Sequence, residues 1–203
     1  MPKIGGIIAS LGLQDWWLSL DDQDRSDLLR YQGSQLGSSG SESLIVGGTS
    51  HKGLTVMAFC SSFMSWALAE KKYALAEKLL KCGESSEGPV LDAHYLLNAA
   101  IELYYKQRDT QQDALKQAIC YCMADIKLFP EYEKPLRKLC NGKLARCPSF
   151  QQLCVIFEKL GMYVDALNVA NMALNYRLDD GTVGGFAGRV AKLAKKLTTT
   201  QEG

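Results

Sequence analysis

Histidine is scarce in this chain of 203 residues: there are only two, His51 and His94. Neither belongs to a recognisable catalytic or zinc motif. A lone helical histidine is usually structural, and although Asp92 is placed to orient His94, with Tyr95, Glu102 and Tyr105 able to line a groove beside it, no acid–base pair follows from one sequence. Proline is sparse too, at 5 residues, so long helices are permitted. No run approaches the roughly 18–20 apolar residues that a membrane-spanning helix needs. Charge of one sign is also lacking: 23 Lys and Arg face 22 Asp and Glu, a net charge of +1. That balance argues against a generally basic nucleic-acid binder while leaving room for a local patch.

What is present is the material of an ordinary globular core, with 47% hydrophobic and 22% charged residues. The seven cysteines, at 60, 82, 120, 122, 140, 147 and 154, are odd in number and scattered through apolar helical patterns. Cys120 and Cys122 point in different directions on a helix, and no tight zinc-finger pair exists, so they read as cytosolic free thiols packed as small hydrophobes. The start, Met1 to Leu13, is interrupted by Gly5, Gly6 and Gly12 and offers no small-residue cleavage site, unlike a secretory signal. The expected location is cytoplasmic.

Three regions follow along the chain. Residues 1–32 form an N-terminal helical segment, with a helix over 20–31 that starts at Ser19 and Asp22, and with Trp16 and Trp17 set before it as a hydrophobic staple. Residues 33–53 are Gly/Ser-rich and read as a linker. Gly47, Gly48, Lys52 and Gly53 there lack the Gly-Lys-Ser/Thr ending and the preceding strand of a phosphate-binding loop. Residues 54–203 carry apolar residues at spacings of three and four, which predicts helices over 54–70, 73–82, 90–107, 111–128, 132–143, 149–160, 163–178 and 186–197. Pro130 is expected to terminate one of them, Pro89 and Pro148 to start others. The fold class is all-α.

Within Ser149 to Leu178, Phe150, Leu153 and Phe157 precede Leu160-Gly161-Met162-Tyr163, and Ala166, Ala170 and Ala173 then fall on one face of the next helix. Small side chains at that spacing let two antiparallel helices approach closely. This block resembles the tetratricopeptide repeat. It lacks the terminal proline, and Cys154 stands where a Gly or Ala is usual. Ala118 to Tyr132 looks like the second helix of another copy, with 91–107 as its first, and Phe59 to Leu80 like a weaker third. The resemblance implies a right-handed array of antiparallel hairpins, ended by a C-terminal capping helix whose apolar face is Val190, Leu193, Ala194 and Leu197. The block from the last repeat onward is also similar to the ends of bacterial proteins without assigned activity.

Carried onto matching positions, the resemblance implies a peptide-binding groove of Ser61, Ser65, Asn98, Glu102, Tyr105, Gln151, Val155 and Glu158. Asn98 is its leading member, because an amide offers both donor and acceptor to a peptide backbone. Charge is unevenly distributed: eleven cationic residues face four anionic ones between Lys134 and Lys196, against three and six over residues 1–51. Arg189, Lys192, Lys195 and Lys196 form a candidate basic patch, and the Gly-rich turn before the last helix could cradle an anion with help from Arg189. The function expected is non-enzymatic: a protein–protein interaction or scaffold module, without cofactor or metal, that binds a protein or peptide. The alternatives are an RNA-associated adaptor using the basic half, nucleic acid being the less favoured partner, and a self-associating structural module. No membrane partner is expected.

Overall fold

The computed structural model describes residues 4–36, 42–47, 53–142, 144 and 146–201. Among them the chain forms ten α-helices and no strand: α1 (Gly6–Ser10), α2 (Gln14–Ser19), α3 (Asp22–Leu36), α4 (Val56–Ala69), α5 (Tyr73–Glu84), α6 (Val90–Gln107), α7 (Ala114–Leu139), α8 (Pro148–Lys159), α9 (Tyr163–Asn175) and α10 (Gly185–Gln201). The all-α class expected from the periodicity is the one adopted. None of these helices is long and apolar enough to cross a membrane. The chain divides into two compact units, Met1–Ala99 and Ala100–Gly203, with the division inside α6.

In the first unit the N-terminal helices are part of the core. Trp17 lies inside α2 and is buried, while Trp16 meets the ring of Phe59 edge-on at 6.2 Å. The tryptophans therefore anchor a helix of their own and do not precede α3 as a staple. The cap of α3 is Asp21, whose Oδ1 accepts from the Asp24 amide at 2.8 Å; Ser19 instead donates to the Trp16 carbonyl at 2.6 Å. Acidic α3 is fastened to the α4–α5 hairpin by charge. Arg30 grips both carboxylate oxygens of Glu70 at 2.6 Å, Tyr31 donates to Glu70 at 3.0 Å, Lys72 pairs with the buried Asp27, and Lys78 pairs with Asp24. Burial and the Glu70 carboxylate push the Tyr31 phenol up to about 12.

Part of the supposed linker is structured. Residues 33–36 continue α3, and Leu44 is fully buried. The Gly5 amide donates to Ile45 at 2.7 Å and the Gly6 amide to Gly47 at 2.8 Å. Gly6 has φ +59, and a Cβ on it would lie 2.4 Å from the Ser43 carbonyl oxygen. Only glycine admits that approach. The rest of the Gly47–Gly53 segment up to residue 52, His51 included, lies outside the described residues.

In the second unit the prediction of two helices separated at Pro130 is corrected: α7 runs unbroken for 26 residues through both Pro130 and Pro135. The two prolines are exposed, so the carbonyls they leave without a donor face water, whereas Asp125, Phe129, Tyr132 and Leu136 make one buried stripe. Phe129 packs on Phe150 at 5.3 Å and Tyr176 at 4.6 Å. The buried Asp125 carboxylate accepts from Ser149 Oγ at 2.6 Å and Tyr132 Oη at 3.0 Å, joining α7 to the first turn of α8. Ala166, Ala170 and Ala173 are all fully buried, and Cys154 Sγ sits 3.5 Å from the Ala166 carbonyl oxygen. Phe186 and Leu193 bury the underside of α10.

The turns α4–α5 and α8–α9 share one backbone geometry. The Lys72 amide donates to Ala67 at 2.8 Å and the Met162 amide to Phe157 at 2.9 Å, in each case closing a helix end over a left-handed residue. That residue is Gly161 (φ 75) in one turn and Lys71 (φ 60) in the other. A side chain in this region is strained by about 1 kcal/mol. Lys71→Gly is therefore expected to stabilise the protein by about 0.5–1 kcal/mol and Gly161→Ala to destabilise it by about 1 kcal/mol, read as opposite shifts of the urea midpoint followed by circular dichroism.

Candidate functional site

Most of the groove residues expected from the sequence are spent on contacts within the chain. Ser61 donates to the Ala58 carbonyl at 3.1 Å and Ser65 to Ser61 at 3.2 Å, both within α4. Asn98 is half-buried; its Nδ2 lies 3.1 Å from the ring of the buried His94, and its Oδ1 is buried without a hydrogen-bond partner. Asp92 accepts the Thr55 hydroxyl at 2.7 Å. These residues belong to the first unit, whereas Glu102, Tyr105, Gln151, Val155 and Glu158 belong to the second. Glu102 pairs with Lys106 at 3.0 Å. The Tyr105 hydroxyl receives Lys159 Nζ at 3.1 Å, and Arg108 covers its ring at 4.3 Å. Burial acts to raise the Tyr105 phenol, but the hydrogen bond from Lys159 and the cations beside it outweigh that and lower its pKa. Gln151 and Val155 are half-buried on α8.

The basic patch is likewise redistributed. Arg189 is almost enclosed, pairing with Glu158 and, at 3.2 Å, with Asp180, so it fastens α10 to α8. Lys192 lies 3.6 Å from Glu158, and Lys196 covers the Tyr163 ring at 4.8 Å. Lys195 is exposed. A second hollow of about 320 Å³ does lie at Gly184, Gly185 and Gly188, but the carboxylate of Asp180 already occupies the Arg189 side of it.

A larger concavity of the second unit lies among α7, α8 and α9. An open cleft of about 490 Å³ has Met123, Ile126, Lys127 and Pro130 of α7 as one wall, Asp165, Asn168, Val169, Met172 and Tyr176 of α9 as the other, and Leu153 and Phe157 of α8 as its floor. Met123 is 56% exposed and Met172 42% exposed, so both walls present flexible thioethers to water. Lys127, Asp165 and Asn168 are exposed on the rim, and no hydrogen bond or ion pair ties any of them down among the described residues. Sequence reading missed this site. The available signal was that α9 carries a second apolar stripe, Val169, Met172 and Tyr176, besides its alanines.

The described cysteines form no disulfide; Cys120 is exposed, Cys140 half-buried and the other five buried. Burial pushes the thiols of Cys122, Cys147 and Cys154 up to about 12, which leaves them protonated and inert at neutral pH. Among the described residues no three His, Cys, Asp or Glu side chains gather where they could hold a metal ion.

No protein-family model matches the chain, and no solved structure matches it. It is similar to an uncharacterised protein of Aquifex aeolicus (strain VF5), 26% identical over 170 residues that cover 81% of each chain. A match of that length exceeds either compact unit alone and must reach into both.

The Asp180–Arg189 pair gives a pH-dependent test. Burial acts to raise the Asp180 carboxyl, but Thr182, which donates through both hydroxyl and amide, and the Arg189 guanidinium together hold it below its ordinary value of 3.8. Its contribution is therefore complete above pH 3.8 and is lost as pH falls through the lower folded value. Asp180→Asn is expected to cost about 2 kcal/mol at pH 7, with the gap from wild type closing under acid; urea titrations at pH 7 and pH ~3 check it.

Proposed function

We propose that this chain is a non-enzymatic interaction module, a tetratricopeptide-like array ended by α10 as its cap, and that it docks an apolar-faced helical segment of another protein in the cleft between α7 and α9. The observation that carries this reading is the cleft itself: an apolar floor, two solvent-exposed methionines on facing walls, and polar rim groups without a hydrogen bond or ion pair among the described residues. In this molecule the other charges near the expected groove, Glu102, Glu158, Arg189 and Lys192, have partners. A surface that leaves Met123, Met172, Lys127 and Asp165 in water retains free energy for a partner to collect. The equal turns at Lys71 and Gly161 and the buried alanines of α9 support the repeat reading. Phe186 and Leu193, both buried beneath α10, support its role as the cap.

The cleft favours a helix over a small molecule. Its walls are too open to enclose a compact ligand, whereas α9 lines it from Asp165 to Tyr176, eleven residues or roughly 16 Å, which is three turns of a partner helix. The RNA-associated reading is weakened because Arg189, the centre of the basic patch, is neutralised by two carboxylates. A cytoplasmic setting remains the natural one for a chain of unpaired thiols.

The test uses a fluorescein-labelled synthetic peptide of about fourteen residues with leucines on one helical face, and a scrambled peptide of the same composition. Wild-type protein is expected to raise the anisotropy of the first and not the second. Met172→Glu and Met123→Glu, at exposed positions that leave the circular dichroism unchanged, are expected to weaken binding at least tenfold. Equal binding of both peptides, or full binding by both variants, defeats the proposal. A wild-type dimer in sedimentation that Met172→Glu dissociates also defeats it, by showing that a second copy fills the cleft.

A further inference from the structure

The three helices around the cleft have fixed directions. Asp125 of α7 meets Ser149 at the start of α8 at 2.6 Å, while Met123, earlier on α7, lines the cleft together with Phe157, near the end of α8. Thus α7 and α8 run in opposite senses. The same holds for α8 and α9, since Phe150 meets Tyr176 at 6.3 Å and Cys154 meets Ala166. It follows that α7 and α9 run parallel and that the cleft has two distinguishable ends. At one end Phe129 touches Tyr176 at 4.6 Å, and Lys127 stands two residues from that contact. At the other stands Asp165, eleven residues before Tyr176 on its own helix. The unpaired ammonium and the unpaired carboxylate are therefore offset along the groove by about nine residues, roughly 13 Å.

We infer that the cleft accepts a partner helix in one direction, with its N-terminus at Asp165 and its C-terminus toward Lys127, and that it selects a partner bearing a cation in its first turn and an anion about two turns later. This rests on reading the cleft as a helix-docking groove. The first turn of any helix presents amide N–H groups without partners and a partial positive charge; the last presents free carbonyls and a partial negative charge. Asp165 meets the first. Lys127 meets the second. Reversal sets carbonyls against a carboxylate and amides against an ammonium. The favoured direction also places the partner antiparallel to α8, the helix on which it lies. Side chains about seven or eight residues apart share a helix face two turns apart, so a Lys or Arg followed at that interval by Asp or Glu spans the rim charges.

The experiment compares two leucine-faced peptides, both held helical by the same lactam bridge on their outer face. One carries lysine in its first turn and glutamate two turns on; the other has the two exchanged. Wild-type protein is expected to prefer the lysine-first peptide about fivefold at low salt, with the preference shrinking toward equality at high salt. In the double variant Asp165→Lys with Lys127→Glu the preference is expected to invert, with unchanged circular dichroism. Equal affinity of wild type for the two peptides, or preference for the glutamate-first one, overturns the directional assignment while docking itself stands. Failure of both, together with failure of the uncharged leucine-faced probe, overturns the docking reading beneath it.

Discussion

The second unit depends on α7 continuing past its prolines. Each proline removes a backbone hydrogen bond and crowds the preceding turn, at a cost of up to about 3 kcal/mol. Set against this is the stripe on the other side of the same helix, where Phe129, Tyr132 and Leu136 are withdrawn from water almost completely. Burial of side chains of that size stabilises by about 1.5–3 kcal/mol each, so three of them offset two prolines. The polar member of the stripe, Asp125, is satisfied by hydroxyls from α7 itself and from α8. Were the helix to stop at Pro130, Tyr132 and Leu136 would leave the buried stripe, and Phe129 would lose the edge-on contact with Tyr132 that backs its packing on Phe150 and Tyr176.

Charge does two different jobs in this chain. Lys72, Lys78, Arg30 and Arg189 are fasteners: each reaches a carboxylate distant in sequence or beyond its own helix, and the carboxylates of Asp27 and Asp180 are almost fully enclosed. Pairs of that kind are costly to break because the surviving partner is left without water, and so they specify which helix lies against which. The rim of the cleft is the opposite case, with groups of both signs held near an apolar surface and tied down by no hydrogen bond or ion pair among the described residues. The acidic residues at the start of the chain are used within the first unit, where Asp24 and Asp27 meet Lys78 and Lys72.

Helices with a clean period were legible from the sequence: α6 has the predicted bounds, and α4, α5, α8 and α9 differ from theirs by a few residues at their ends. The misses have definite causes. Pro130 reads as a stop because local propensity sees the lost hydrogen bond and not the aromatic stripe beyond it. α1 was invisible because Gly5 and Gly6 look like loop residues until residues 42–47 are laid against them, a contact across some forty positions. The pairing of Glu158 with Arg189 was hidden for the same reason, since the two are 31 residues apart and nothing local announces it.

The cleft illustrates what a helix with two apolar stripes implies. α9 turns Ala166, Ala170 and Ala173 inward, where all three are fully buried and their small size allows close approach of its neighbours. On its other stripe Val169 is buried and Tyr176 packs on Phe129 and Phe150, while Met172 between them emerges into the groove beside α7. A soluble helix needs only one such stripe to hold its place. The second serves fold and groove alike: Val169 and Tyr176 add to the core, and Met172, 42% exposed, faces Met123 of α7, 56% exposed, so that each wall of the groove carries a flexible thioether able to repack against surfaces of different shape.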